Sequence, residues 1–300
     1  MVQAGQVRLA IARALGASDA EAEDVAPLIP ITTSGDKIQD RALTDAGGKG
    51  LFTKEIEQAL LSGRIDCAIH SLKDMPAQAP DGLVIAAMPQ REDPRDAFLS
   101  PHVDSLAAMP AKARLGTASL RRAAQALHRR PDLQIVLVRG NVDTRLAKLD
   151  RGDADAIILA VAGLNRLGLG HLPRMLLDPI EAPPAPGQGA LAIQMRAADA
   201  RAPWLDALRH RPTMLAAAAE RGALSALEGS CRTAIGAYAR LEGDRLDLVV
   251  EALTPDGARR FRRQGQADVG GSDGEAVARN LGLGLGEEIR REGGEALSSA

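Results

Sequence analysis

The sequence predicts an α/β protein of two hinged lobes with mixed, mainly parallel sheets, followed by a small α+β C-terminal domain. Three observations carry this. Short apolar runs alternate with helical stretches between residues 113 and 160, the signature of βαβ units around a parallel sheet. Two segments read as crossings between lobes, Arg91-Glu92-Asp93-Pro94-Arg95-Asp96 and Ala182-Pro183-Pro184-Ala185-Pro186-Gly187, and two crossings between two α/β lobes make a hinge with a cleft between them. After Arg211-Pro212 the pattern changes to one helix, two apolar strands, a basic segment and a closing helix. The expected divisions are 1–92 with 189–208 for lobe 1, 93–188 for lobe 2, and 209–300 for the C-terminal domain, each of ordinary domain size.

Taken in order, residues 1–15 place Val2, Val7, Ala10, Ile11 and Leu15 on a helical period with no capping residue before them. Residues 25–33 suggest a strand interrupted by prolines. The polar, glycine-rich stretch 34–50, with Gly47-Gly48-Lys49-Gly50, is a candidate flexible lid. An amphipathic helix is expected near 51–61, a buried strand over 65–69, and another apolar run over 83–88. Strands are expected over 113–116, 133–139 and 156–160, with helices over 119–129 and 142–150 between them. A strand over 190–195 returns the chain to lobe 1. In the C-terminal domain the expectation is a helix over 214–227, strands over 234–241 and 246–253, and a helix over 274–291, with fraying beyond 292.

Composition narrows the function classes. At 300 residues and 45% hydrophobic, the chain can bury a core in each domain. A net charge of −2 supplies no long-range positive field for a general nucleic-acid binder. Of 37 basic residues only six are Lys, leaving 31 Arg; guanidinium groups bind carboxylates bidentately, so some can serve a polyanionic small ligand. Two distant cysteines, Cys67 and Cys231, fit a reducing compartment, and five scattered histidines give no support to a metal site. No apolar run is long enough to span a bilayer, and no basic, apolar, cleavable leader opens the chain, so the expected location is the cytoplasm.

Candidate chemistry lies where strands end. His70-Ser71-Leu72-Lys73-Asp74-Met75-Pro76 packs hydroxyl, ammonium and carboxylate groups after a buried strand, and ligands of open α/β sheets bind beyond such ends. Such clusters are also common as plain turns. Asp74, beside Lys73, stays ionised and suits exchange of a proton with a nitrogen. Gly116-Thr117-Ala118-Ser119-Leu120-Arg121-Arg122 follows a strand and opens a helix. Ser119 on its own reads as an N-cap, but two arginines in a first turn conflict with the helix dipole, and an anionic ligand would remove the conflict. Arg139-Gly140-Asn141-Val142-Asp143-Thr144-Arg145 repeats the arrangement, and Arg166 follows the next strand. Each arginine alone is more often solvated than binding, yet five at consecutive strand ends share one edge. Cys67 lies in an apolar strand, where cysteine behaves as a small hydrophobe; Cys231, in the loop Glu228-Gly229-Ser230-Cys231, is placed for covalent attachment of a group.

Together these blocks resemble the porphobilinogen deaminase family. The resemblance rests on Gly47 to Phe52, His70 to Pro76, Arg91 to Phe98, Gly116 to Arg122, Arg139 to Arg145 with Lys148-Leu149-Asp150, Ala160 to Leu164, Pro186 to Ala190 and Glu228 to Cys231. It implies a transferase of tetrapyrrole (haem) biosynthesis that condenses four porphobilinogen units to hydroxymethylbilane with release of ammonia. It also implies one dipyrromethane cofactor per chain, held by a thioether to Cys231. Asp74 matches the catalytic aspartate, expected to assist loss of ammonia and to stabilise cationic pyrrole and azafulvene intermediates. Ser71, Lys73, Thr117, Ser119, Arg121 and Arg122 match cofactor contacts; Arg139, Arg145 and Arg166 match positions that hold substrate carboxylates. No metal, nucleic acid or membrane is implied, and a monomer is expected.

The sequence departs from the family pattern at several places. The family's first strand and its Thr-Arg-x-Ser motif have no counterpart, since Met1 aligns inside the first helix; the expectation is a start upstream of Met1 and, for this chain, low stability and weak activity. Ala118 stands where Ser is common, Ser230 where Gly is usual, and Gln194 where Glu often follows the Ile. A periplasmic-binding-protein-like module for a small polyanionic ligand is the alternative; it accounts for the cleft and the arginines but not for Asp74 or the Cys231 loop.

Overall fold

The structure, a computed structural model, describes residues 2–34, 53–172, 174–227 and 234–298. It divides into two compact units, 1–92 with 189–214, and 93–188 with 215–300.

In the first unit, helix α1 (Val2–Ala14) lays Val7 and Ile11 against Ala87, Ile193, Leu205 and Leu208. A 3-10 turn (Asp19–Glu21) and the short α2 (Ala22–Val25) follow. The strand expected over 25–33 does not form: α2 occupies its start, and 27–33 lack regular structure. Pro27 and Pro30 remove the backbone donors a ladder needs. Helix α3 (Lys54–Leu61) buries Leu60 against Ala68 and Leu83. The sheet has the order β1 (Cys67–Ser71), β8 (Leu191–Arg196), β2 (Leu83–Ala87), all antiparallel.

The second unit holds a five-stranded sheet of order β5-β4-β6-β3-β7, with β3 at Asp96–Leu99, β4 at Arg114–Gly116, β5 at Gln134–Val136, β6 at Ala156–Ala160 and β7 at Met175–Leu176. Pairing of β4 with β5 and β6 is parallel; pairing of β3 with β6 and β7 is antiparallel. Helices α4 (Leu120–Arg129), α5 (Val142–Asp150) and α6 (Val161–Arg166) follow the parallel strands. The α/β class and mixed sheets match expectation, but the parallel share is smaller. In the first sheet β8 arrives from a hundred residues downstream and inserts between β1 and β2, which local periodicity cannot reveal.

The rest of the second unit packs α7 (Arg211–Leu227) and α8 (Gly274–Gly293) on an antiparallel sheet, β9 (Ala234–Glu242), β10 (Arg245–Leu253) and β11 (Arg260–Asp268). Of residues 259–263, read from sequence only as a basic segment, 260–263 begin β11. Alternation there is weak because just one face is buried, through Phe261. The two helices approach backbone to backbone: a Cβ on Gly282 would overlap the Ala219 carbonyl oxygen. Leu215, Ala219, Leu246, Leu248, Val250 and Ile289 centre this core.

Candidate active site

In the first unit, β1 runs two residues later than expected and takes in His70 and Ser71. The Leu72 amide donates to Ala190 O and the Met75 amide to Leu72 O, closing a 3-10 turn over Leu72–Asp74. Leu72 and Met75 are buried and pin this turn, so Lys73 and Asp74 between them are exposed. The Ser71 hydroxyl donates to Gln3 Oε1 at 3.3 Å. Beneath the turn His70 Nε2 donates to Gln194 Oε1 at 2.9 Å, and Gln194 Nε2 donates to Glu57 Oε1 at 3.3 Å, all three side chains buried. Burial pushes the His70 pKa down, against an opposing effect of the Gln194 bond.

In the second unit, parallel pairing puts the C-terminal ends of β4, β5 and β6 on one edge. Residues 117–122, 139–145 and Arg166 follow those three ends. At the first, the Ser119 amide donates to Thr117 Oγ1 at 3.1 Å, and Ser119 Oγ caps α4 by accepting from the Arg122 amide at 3.4 Å. At the second, Asn141 Oδ1 caps α5, accepting from the Thr144 amide at 2.8 Å, while Arg145 Nε donates to Gly140 O at 2.8 Å and Lys148 Nζ to Arg139 O at 3.1 Å. Arg139, Arg145 and Arg166 are half-buried.

The arginine conflict at the head of α4 is answered by a protein carboxylate. Strand β3 runs antiparallel to β6 with Asp96 opposite Ala160, the last residue of β6, so Asp96 stands on the same edge. Arg122 Nη2 lies 2.7 Å from Asp96 Oδ1 and Arg121 Nη1 lies 2.8 Å from Oδ2, with Asp96 only 1% exposed. Burial works to raise the Asp96 carboxyl, but the Arg121 and Arg122 charges override it and hold it below the usual carboxylate range. Gln188, also buried, donates through Nε2 to Asp96 Oδ1 and to Pro94 O, each at 2.8 Å. Asp96 and Gln188 were missed in the sequence. Asp96 closes a charged crossover segment and reads there as solvated, because its partner edge is set by a strand sixty residues on.

Two guanidinium groups thus face one carboxylate. Arg121 Nη1 also donates to Gln125 Oε1 and Pro183 O, and Arg121 Nε has no hydrogen-bond partner among the described residues. A buried guanidinium with an unmatched N–H donor fits an added carboxylate. Cys231 and the Gly47–Gly50 segment lie outside the described residues. Cys67 is described: burial, then the Asp66 charge, push its thiol up to about 11, which leaves it little thiolate at neutral pH. No group of three or more metal-ligating side chains occurs among the described residues, and among them no helix is long and apolar enough to cross a membrane.

These features define an α/β protein with arginines gathered at the strand ends of one sheet. Two family models match the chain: "Porphobilinogen deaminase, dipyromethane cofactor binding domain" over residues 1–203 and "Porphobilinogen deaminase, C-terminal domain" over 214–291. A porphobilinogen deaminase of Caulobacter vibrioides is 66% identical over 99% of this chain and 94% of its own length. One of Phenylobacterium zucineum is 63% identical over the same shares. The chain belongs to the porphobilinogen deaminase family. Among solved structures, an ancestral arginine-binding protein covers 68% of this chain and 78% of its own at 13% identity and a TM-score of 0.34, too distant to bear on the site.

Proposed function

We propose that the turn after β1 supplies the reacting carboxylate, Asp74, and that the strand-end edge of the second unit supplies the cations that hold acetate and propionate groups. The chain is a transferase that joins four porphobilinogen molecules with release of ammonia, primed by a covalent dipyrromethane, the product being cut off by water as hydroxymethylbilane, in tetrapyrrole biosynthesis. When bound, the dipyrromethane supplies an electron-rich pyrrole carbon to which the first substrate is joined.

Each addition forms a carbon–carbon bond to the substrate methylene, breaks its carbon–nitrogen bond, and releases the amine nitrogen as ammonia and the ring hydrogen as a proton. The Asp74 carboxylate, exposed at the end of its 3-10 turn, faces cationic character on the substrate as the amine leaves and exchanges a proton with the pyrrole nitrogen. Ser71 and Lys73 bind cofactor from the same turn. Thr117, Ser119, Arg121 and Arg122 bind it from the β4 end, where the unmatched Arg121 Nε supports the assignment. Arg139, Arg145 and Arg166 bind the carboxylates of incoming and growing chain as bidentate partners.

We assign Cys231 as the thioether attachment point and 209–300 as the domain that carries it. A cytoplasmic monomer, acting on neither nucleic acid nor membrane, belongs to the same reading. The observation that carries the site is the convergence of the three parallel strand ends on one edge. The test is Asp74→Ala: the variant stays folded by circular dichroism while ammonia release falls by about 100-fold or more, the weight of a general acid–base group. Near-normal turnover removes Asp74 from its role.

A further inference from the structure

Glu220, in α7, is fully buried, and the mechanism above does not use it. Its two oxygens accept from two different parts of the second unit: Oε2 from the Gly187 amide at 2.7 Å, and Oε1 from the Ala239 amide at 2.9 Å. Ala239 lies on β9, the edge strand of its sheet. Two β9 amides that face away from β10 are matched by the crossover and by this carboxylate: the Ala237 amide donates to Pro184 O at 2.9 Å, and Ala239 to Glu220. The crossover also presses on β9 at Gly236, where a Cβ would come 2.6 Å from Pro183 O.

The next residue gives this clamp its consequence. Gly187 and Gly189 hold positive φ, of 76° and 86°, on either side of Gln188, so the direction of the Gln188 side chain depends on what fixes this glycine-flanked turn. Gln188 Nε2 donates to Asp96 Oδ1, and Arg122 Nη2 reaches Gln188 Oε1 at 3.4 Å as well as Asp96. A continuous series of contacts therefore runs from Glu220 through the Gly187 amide and Gln188 to Asp96 and the Arg122 guanidinium.

We propose that Glu220 is a positioning residue: by holding the Gly187 amide it aims Gln188 at Asp96 and sets the orientation of the Arg122 guanidinium. The inference rests on the reading of Arg122 as a cofactor contact. A buried carboxylate is costly where neutral groups would serve for packing alone. Its two oxygens, however, can fix two backbone segments at once, which a single neutral acceptor cannot do with equal strength.

The experiment combines amide exchange with a double-mutant cycle in the holoenzyme. In the wild type the Gly187 amide is strongly protected; Glu220→Gln, which keeps one acceptor oxygen and the side-chain volume, lowers that protection and reduces kcat/KM by about tenfold, the loss of one charge-assisted bond. Gln188→Ala gives a loss of similar size, and the double variant is no worse than the poorer single one, because both act through one connection. Additive losses, or unchanged kinetics and Gly187 exchange in Glu220→Gln, overturn the proposal. Rapid exchange of Gly187 in the wild type overturns it as well, whether or not any variant folds. Arg122→Lys separates the two claims: unchanged cofactor loading by intact mass and unchanged kcat/KM sink the reading of Arg122, whereas losses there without losses in Glu220→Gln sink only the inference about Glu220.

Discussion

Arg122 donates to Asp96 Oδ1 through both Nε, at 3.2 Å, and Nη2, at 2.7 Å, and the same guanidinium donates from Nη1 to Ile158 O at 3.1 Å. The pair is shut away from water, with Arg121 on the other carboxylate oxygen. Removing the carboxylate leaves two buried cations facing each other. Asp96→Ala is expected to lose about 3–5 kcal/mol in denaturant unfolding, as breaking a buried ion pair from one side does. A loss below 1 kcal/mol would show that the two arginines find other partners. Because the Asp96 carboxyl is held low in the folded state, its contribution is present above the ordinary carboxylate pKa and is lost as pH falls below about 4.

His70 gives a pH dependence in a different window. Burial lowers its pKa in the folded protein, so below about pH 6.5 the unfolded chain binds a proton that the folded chain resists. Stability therefore declines as pH drops from 7.5 towards 5.5. His70→Gln, which can still donate to Gln194, is expected to flatten that decline. An unchanged slope in unfolding experiments at the two pH values would assign the decline to other groups.

Arg145 separates binding from stability. It is half-buried, with Nε on the Gly140 carbonyl, and the proposed site assigns it a substrate carboxylate to hold. Arg145→Ala is expected to raise KM about tenfold or more, in line with loss of a hydrogen bond to a charged group, while unfolding stability changes by less than about 1 kcal/mol. Steady-state kinetics with an unchanged KM would exclude Arg145 from the substrate site.

Much of the architecture was visible in the residues. The α5 and β6 spans, Val142–Asp150 and Ala156–Ala160, coincide with expectation because period and caps agree there, Asn141 capping the helix and Gly152 turning the chain. The site's strand-end placement was visible for the same reason: each of Thr117, Arg139 and Arg166 follows a short apolar run. What stayed hidden depends on non-local pairing. Asp96 meets Arg121 and Arg122 because β3 is antiparallel to β6, and β8 lies between β1 and β2 because the chain returns after residue 188. The buried chain from His70 through Gln194 to Glu57 joins three separate elements. The Gln194 substitution was noticed in the sequence, but its histidine partner was not.

The central claim is that this chain carries its primer on Cys231 and processes an anionic substrate along a guanidinium-lined edge. Intact-mass measurement of freshly expressed protein tests it most directly. Because burial holds the Cys67 thiol protonated, the account predicts an adduct of two pyrrole units on the wild type and on Cys67→Ser, and no adduct on Cys231→Ser. An unmodified wild type that still turns over porphobilinogen, or an adduct that survives in Cys231→Ser, would contradict it.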